Sequence, residues 1–167
     1  MELNLFKLEK LKINAYDNAT RSAPPTKTFE AMFNPSSFKE SYKTSWKYKE
    51  QQAINNSAPE LVYTSSDPRR LEIDLLLDGT GVSQMGVMTL LGSNPTVSER
   101  IKKFLDVAYK YNGDAHEPNC LKVEWGKSLS FPCRLESVDI NYTNFDRDGE
   151  PLTARGASGG FSARLTT

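Results

Sequence analysis

The sequence predicts a mainly β, antiparallel protein with a single helix. Three observations carry that expectation. Several short stretches alternate apolar and polar residues with a period of two, the mark of half-buried strands. One stretch alone carries a helical period behind a capping signal. No alternation of strands with helices runs along the chain, so parallel crossover units are not expected. The chain of 167 residues is long enough for one domain with a core that needs no covalent staples.

The strands are read in order. Leu11, Ile13 and Ala15 alternate with Lys12 and Asn14. Phe29, Ala31 and Phe33 alternate next, and Asn34-Pro35-Ser36 stops them, because proline donates nothing to a ladder and Asn starts turns. Tyr42, Thr44, Trp46 and Tyr48 alternate with Lys43, Ser45, Lys47 and Lys49, giving an aromatic face, expected in the core, and a cationic face. Leu71, Ile73, Leu75 and Leu77 alternate with Arg70, Glu72 and Asp74 up to Asp78-Gly79.

The stretch 79–95 carries Val82, Met85, Val87, Met88, Leu90 and Leu91 without a clean period. It is too apolar for a disordered linker, so Met85, Val87, Met88 and Leu90 are candidate contacts with a neighbouring subunit. Thr96-Val97-Ser98-Glu99 then fits a capping box. Ile101, Phe104, Leu105 and Ala108 follow at helical spacing, which predicts a helix over about 97–111 with Gly113 as its C-cap. Leu121, Val123 and Trp125 form a strand ended by Gly126. Cys133 and Leu135 share one phase and Val138, Ile140 and Tyr142 the other, so a β-bulge is expected near Glu136-Ser137. Asp146 to Gly149 is a turn, and a last strand begins at Pro151-Leu152. About seven strands result.

Charge and composition narrow the functions. The 21 basic and 21 acidic side chains cancel, and a nucleic-acid binder would show a basic excess or stripe. Lys47-Tyr48-Lys49 is the nearest approach to one, and a solvated strand face accounts for it. No apolar run reaches the ~18 residues of a membrane helix, and no secretory signal opens the chain. Synthesis and folding in the cytoplasm without membrane insertion are therefore expected. Cys120 and Cys133 read as small core residues.

The inventory for catalysis is thin, and no enzyme is expected. His116 stands alone in the loop 114–118, and neither it nor the cysteines has metal-ligand or nucleophile spacing. Glu72 and Asp74, two apart on one strand face, are the fairest acid pair, since a retaining glycosidase needs carboxyls ~5 Å apart. An exposed strand face yields the same pattern. Gly79-Thr80-Gly81 lacks the rest of a nucleotide-binding loop. Tyr42, Trp46 and Tyr48 could stack on a sugar, which keeps a carbohydrate- or peptidoglycan-binding module as the alternative function.

Three stretches together carry a family resemblance. They are Phe29-Glu30-Ala31-Met32-Phe33-Asn34-Pro35-Ser36, Arg70 through Asp78, and the run from Leu121. That run holds Val123-Glu124-Trp125-Gly126, Phe131, Leu135-Glu136-Ser137-Val138, Tyr142-Thr143-Asn144-Phe145 and Asp148-Gly149-Glu150-Pro151-Leu152. This set resembles the tube-type domain of contractile injection systems, the phage-tail-like machines. In particular it resembles the baseplate member that often carries a LysM module, although no LysM-like segment precedes Thr167. The resemblance covers most of residues 5–155 and takes Asn34, Pro35, Trp125, Gly126, Phe145 and Gly149 as structural motif positions.

The resemblance implies a single tube-type domain over 1–167, with 156–167 left as a tail or a last strand. It implies two packed antiparallel sheets forming a small barrel or sandwich beside the helix. It also implies a hexameric homo-oligomeric ring at the baseplate, joining a spike protein to an inner-tube protein; the residue inventory itself leads to an expectation of no cofactor and no metal. The two-faced strands then suggest a lumen face carrying Lys43, Lys47, Glu72 and Asp74.

Overall fold

A computed structural model describes residues 8–49, 60–80, 95–113, 116–155 and 161–167. It is a mostly β structure with one helix, and every described strand pairing is antiparallel.

The N-terminal third supplies β1 (Lys12–Tyr16), β2 (Lys27–Glu30), β3 (Phe38–Ser41) and β4 (Thr44–Tyr48). Ile13 and Ala15 of β1 are fully buried. Asn14 on the opposite face is buried too, because its amide donates to Glu124 Oε2 at 2.7 Å and its carbonyl accepts from Thr28 Oγ1 at 2.8 Å. β2 stops at Glu30, short of the expected Phe33. After Ala31, whose amide still reaches Leu11 O, the Asn34 side chain takes over the bonding of the neighbouring segment. Its Oδ1 accepts from Leu11 N at 2.9 Å and its Nδ2 donates to Glu9 O at 2.8 Å.

β5 (Leu61–Ser66) pairs with β4 as a two-stranded hairpin. β6 (Arg70–Leu75) and β7 (Leu77–Asp78) form the strand expected over 70–77, interrupted at Leu76. Leu71, Ile73, Leu75 and Leu77 all lie in the core. Gly79 then comes close to the helix: its amide donates to Leu152 O at 2.8 Å, and a Cβ there would meet Val97 Cγ2 at 3.0 Å.

Helix α1 (Val97–Ala108) carries the expected capping box, with Glu99 N donating to Thr96 Oγ1 and Thr96 N to Glu99 Oε2. It ends earlier than expected. Tyr109 is the C-cap in place of Gly113, and the amides of Tyr109 and Lys110 both reach Leu105 O. The chain then enters a small ladder between β8 (Tyr111–Asn112) and β9 (Glu117–Pro118), which competes with continued helix. Val97, Ile101, Phe104, Val107 and Ala108 face the core, where Phe104 meets Phe29 edge to face at 5.3 Å.

The rest is strand: β10 (Cys120–Trp125), β11 (Leu129–Asp139), β12 (Asn141–Phe145), β13 (Pro151–Arg155) and β14 (Phe161–Thr166). The β11 register shifts between Leu135 and Ser137, where the bulge was expected. Seven strands make the large sheet, in the order β2-β1-β10-β11-β14-β6-β3. Three more pair as β12-β13-β7. A single residue separates β11 from β12 and β6 from β7, and β13 comes before β14 in the chain, so the second sheet repeats the order of part of the first. The 156–167 segment expected as a tail or a last strand therefore supplies, as β14, a central strand of the large sheet.

The large sheet curls. Phe38 on β3 meets Trp125 on β10 edge to face at 6.5 Å, although three strands separate them in the ladder. Among the described residues the ladder does not close, and β2 and β3 each pair on one side only. One apolar cluster fills the interior between the sheets and α1.

The aromatic face of residues 42–49 departs most from expectation. Tyr42, Trp46 and Tyr48 are exposed and do not enter the core. Alternation tells which residues share a face; the tertiary partner decides which face is covered. Here β4 pairs with β5 and leaves the main sheet altogether.

Candidate functional site

The β4–β5 hairpin gathers several large hydrophobic side chains that stay exposed. Trp46 (56%), Tyr48 (64%), Leu61 (55%), Val62 (43%) and Tyr63 (52%) all remain open to solvent. Trp46 and Tyr63 pack edge to face at 5.6 Å, and Trp46 Nε1 donates to Thr44 Oγ1 at 3.1 Å, so the exposed rings are held in place. Isolated apolar side chains on a surface need no explanation, but here Trp46, Tyr48, Leu61 and Tyr63 share one face of the hairpin, with Val62 on the other. Lys49–Glu60 at 3.2 Å and Lys43–Asp67 at 3.3 Å tie its two strands together. Lys47 makes no ion pair among the described residues.

The hairpin is anchored at its base by Arg69. Its guanidinium lies over the rings of Tyr42 (5.1 Å) and Phe131 (5.0 Å) and donates to Glu40 Oε2 at 3.0 Å and Tyr42 Oη at 3.1 Å. The Tyr42 hydroxyl donates to the same Glu40 carboxylate. Tyr42 first and Arg69 second hold the Glu40 carboxyl below its usual range. No sequence signal singles out Arg69, because its partners lie on three separate strands or links. The run Leu61-Val62-Tyr63-Thr64 has strand-forming side chains and could have flagged β5.

A second surface is the outer face of the large sheet. Glu72 and Asp74 lie there, opposite the buried Leu71, Ile73 and Leu75. Glu72 stands between Lys39 on β3 and Arg164 on β14, its carboxylate 3.5 Å from Arg164 Nε. Arg70 meets Glu136 at 3.1 Å, and Asp74 lies opposite Ser162. Lys43 and Lys47 do not join this face; they lie on or beside the hairpin. The carboxylate of Glu72 is thus part of a cross-strand charge ladder that helps fix register, at ~0.2–1 kcal/mol per exposed pair.

The motif positions have local roles. Glu9 O accepts from both Asn34 Nδ2 and Trp125 Nε1 (3.1 Å), so two distant motif residues converge on one carbonyl and clamp the entry to β1. Pro35 follows directly in the link to β3. Gly126 (φ +56°) opens the β10–β11 turn, and Gly149 (φ +83°) closes the β12–β13 turn around the Asp146 carboxylate. Phe145 is 58% exposed beside that turn.

A family model described as contractile injection system tube protein matches residues 7–158. The chain belongs to this family. A search of curated proteins found no match. The family is that of a structural tube component of a phage-tail-like assembly. In this tube-family chain the match ends before β14, although β14 lies between β11 and β6 in the large sheet.

The remaining candidates are placed as follows. Met85, Val87, Met88 and Leu90 lie outside the described residues. Cys120 and Cys133 are both buried and unbridged, and burial pushes the Cys133 thiol up to about 12. His116 stacks on Tyr111 and pairs through Nδ1 with Gly113 O at 2.7 Å. No group of three His, Cys, Asp or Glu side chains able to hold a metal gathers among the described residues. No described helix is long and apolar enough to cross a membrane.

Proposed function

We propose that this tube-family chain forms a six-membered ring at the baseplate of a contractile injection particle and joins the spike to the inner tube. Family membership gives the assembly; the exposed β4–β5 hairpin is the observation that carries the ring. A rigid aromatic hairpin standing off the main sheet has the composition of an interface core, where Trp and Tyr dominate. The one-sided edges β2 and β3 add backbone donors and acceptors that a neighbouring copy can pair. Ring closure removes such edges and lets a charged sheet face line a lumen, with Glu72 and Asp74 on it and Lys43 and Lys47 near its rim. Met85, Val87, Met88 and Leu90 supply a further contact with a neighbour.

A carbohydrate-binding module is the second reading, favoured by the same exposed Trp46, Tyr48 and Tyr63. The two readings separate experimentally. Trp46→Ser with Tyr63→Ser should abolish incorporation into particles while glycan binding stays at background throughout. Retention of glycan by the unaltered chain, lost in the double variant with particles intact, would favour the module.

A further inference from the structure

A groove runs along the C-terminal half of α1, away from the hairpin residues. It opens as a trough of about 870 Å³ floored by Leu105, Tyr109, Tyr111 and Pro118. It continues, sharing Leu105, Tyr109 and Pro118, into a recess of about 460 Å³ beside Leu135 and Val138 at the β11 bulge. The β11 register shifts there, and Ala108 and Tyr109 at the end of α1 line the same recess. Tyr109 and Tyr111 are both more than 60% exposed, although His116 stacks on Tyr111, so both rings keep apolar surface open to an occupant.

The rim is cationic. Lys102 and Lys103 project from α1 and make no ion pair among the described residues, and Lys110 completes the row. The carboxylates of its described lining, Asp106 and Glu136, and Glu117 beside Pro118 already have cations. Asp106 is shared by Lys27 (2.7 Å) and Lys110 (3.2 Å), Glu136 meets Arg70 (3.1 Å), and Glu117 meets Arg134 (2.8 Å). The local excess is therefore positive although the whole chain is neutral.

We infer that this groove docks a short acidic peptide segment of a partner protein, inserting a bulky apolar side chain between Tyr109 and Tyr111 while its carboxylates meet Lys102 and Lys103. Apolar grooves with a charged rim recognise peptides in this divided way: anchors provide affinity and the rim sets orientation and specificity. A nucleic acid is disfavoured, because a phosphate chain would leave the apolar floor unfilled and would ask for a longer cationic track. The groove requires no ring, so this proposal and the ring proposal fail separately.

The test uses the full chain and a short fluorescent peptide of glutamates carrying two leucines and a tryptophan, read by anisotropy. Control probes are the same peptide with lysines for glutamates, one with serines for its apolar residues, and a single-stranded DNA. The acidic apolar peptide should bind and the three controls should not. Lys102→Glu with Lys103→Glu should weaken binding about tenfold and confer binding of the lysine peptide. Tyr111→Ser should weaken it with its salt dependence unchanged. If the charge-reversed chain melts early, Lys102→Gln with Lys103→Gln replaces it. Equal binding of the serine peptide or of DNA, indifference to charge reversal, or self-association of the chain in place of peptide binding would each overturn the proposal.

Discussion

Two motif side chains far apart in sequence, Asn34 and Trp125, converge on the carbonyl of Glu9. Asn34→Ala removes two bonds to backbone and leaves Leu11 N without its acceptor, so it should cost about 2 kcal/mol. Trp125→Phe removes one bond and should cost about 1 kcal/mol. Urea unfolding of the two variants checks both values, and equal costs would contradict the shared-clamp account. Titration is equally local. Tyr42 and then Arg69 depress the Glu40 carboxyl, Lys27 and then Lys110 depress that of Asp106, and Arg134 depresses that of Glu117. A carboxyl with a depressed folded value contributes stability above its unfolded value and loses it as pH falls through the folded one. The urea midpoint should therefore hold from neutrality to about pH 5 and fall below about pH 4. A midpoint unchanged at pH 3 would show that these contacts do not persist in solution.

At the scale of elements, the hairpin and the helix make opposite predictions. Thr96→Ala removes the acceptor for Glu99 N and should destabilise the chain by about 1 kcal/mol, seen as a lower melting temperature. Trp46→Ser with Tyr63→Ser should leave that temperature nearly unchanged, because neither ring enters the core, and should abolish incorporation into particles instead. The same elements show what was legible beforehand. The helix could be read because a capping box and a 3.6-residue period are both local. β6 could be read because its core residues Leu71, Ile73 and Leu75 alternate with charged ones, and Leu77 of β7 keeps the same phase. The bulge could be read because a slip of phase is written in the side chains. The exposure of Trp46 could not, since it depends on β4 pairing with β5 and not with the large sheet. β14 was obscured by the glycines before it, although pairing on both sides with β11 and β6 makes up for weak local propensity.

For the whole molecule, the neighbouring strands β11, β14 and β6 of the large sheet divide the surface. One side faces the core and α1; the other carries Glu72, Asp74 and Arg164 to water. That charged face, the open edges β2 and β3, and the aromatic hairpin are what a closed ring would use. The ring reading also fixes where each must lie. A cryo-electron microscopy reconstruction of the intact particle, made without imposed symmetry, tests this most directly. The account predicts six copies in one layer between spike and inner tube, with Glu72 and Asp74 facing the axis and Trp46 and Tyr63 against a neighbouring subunit. A different copy number in the layer, or Glu72 and Asp74 turned away from the axis, would contradict it.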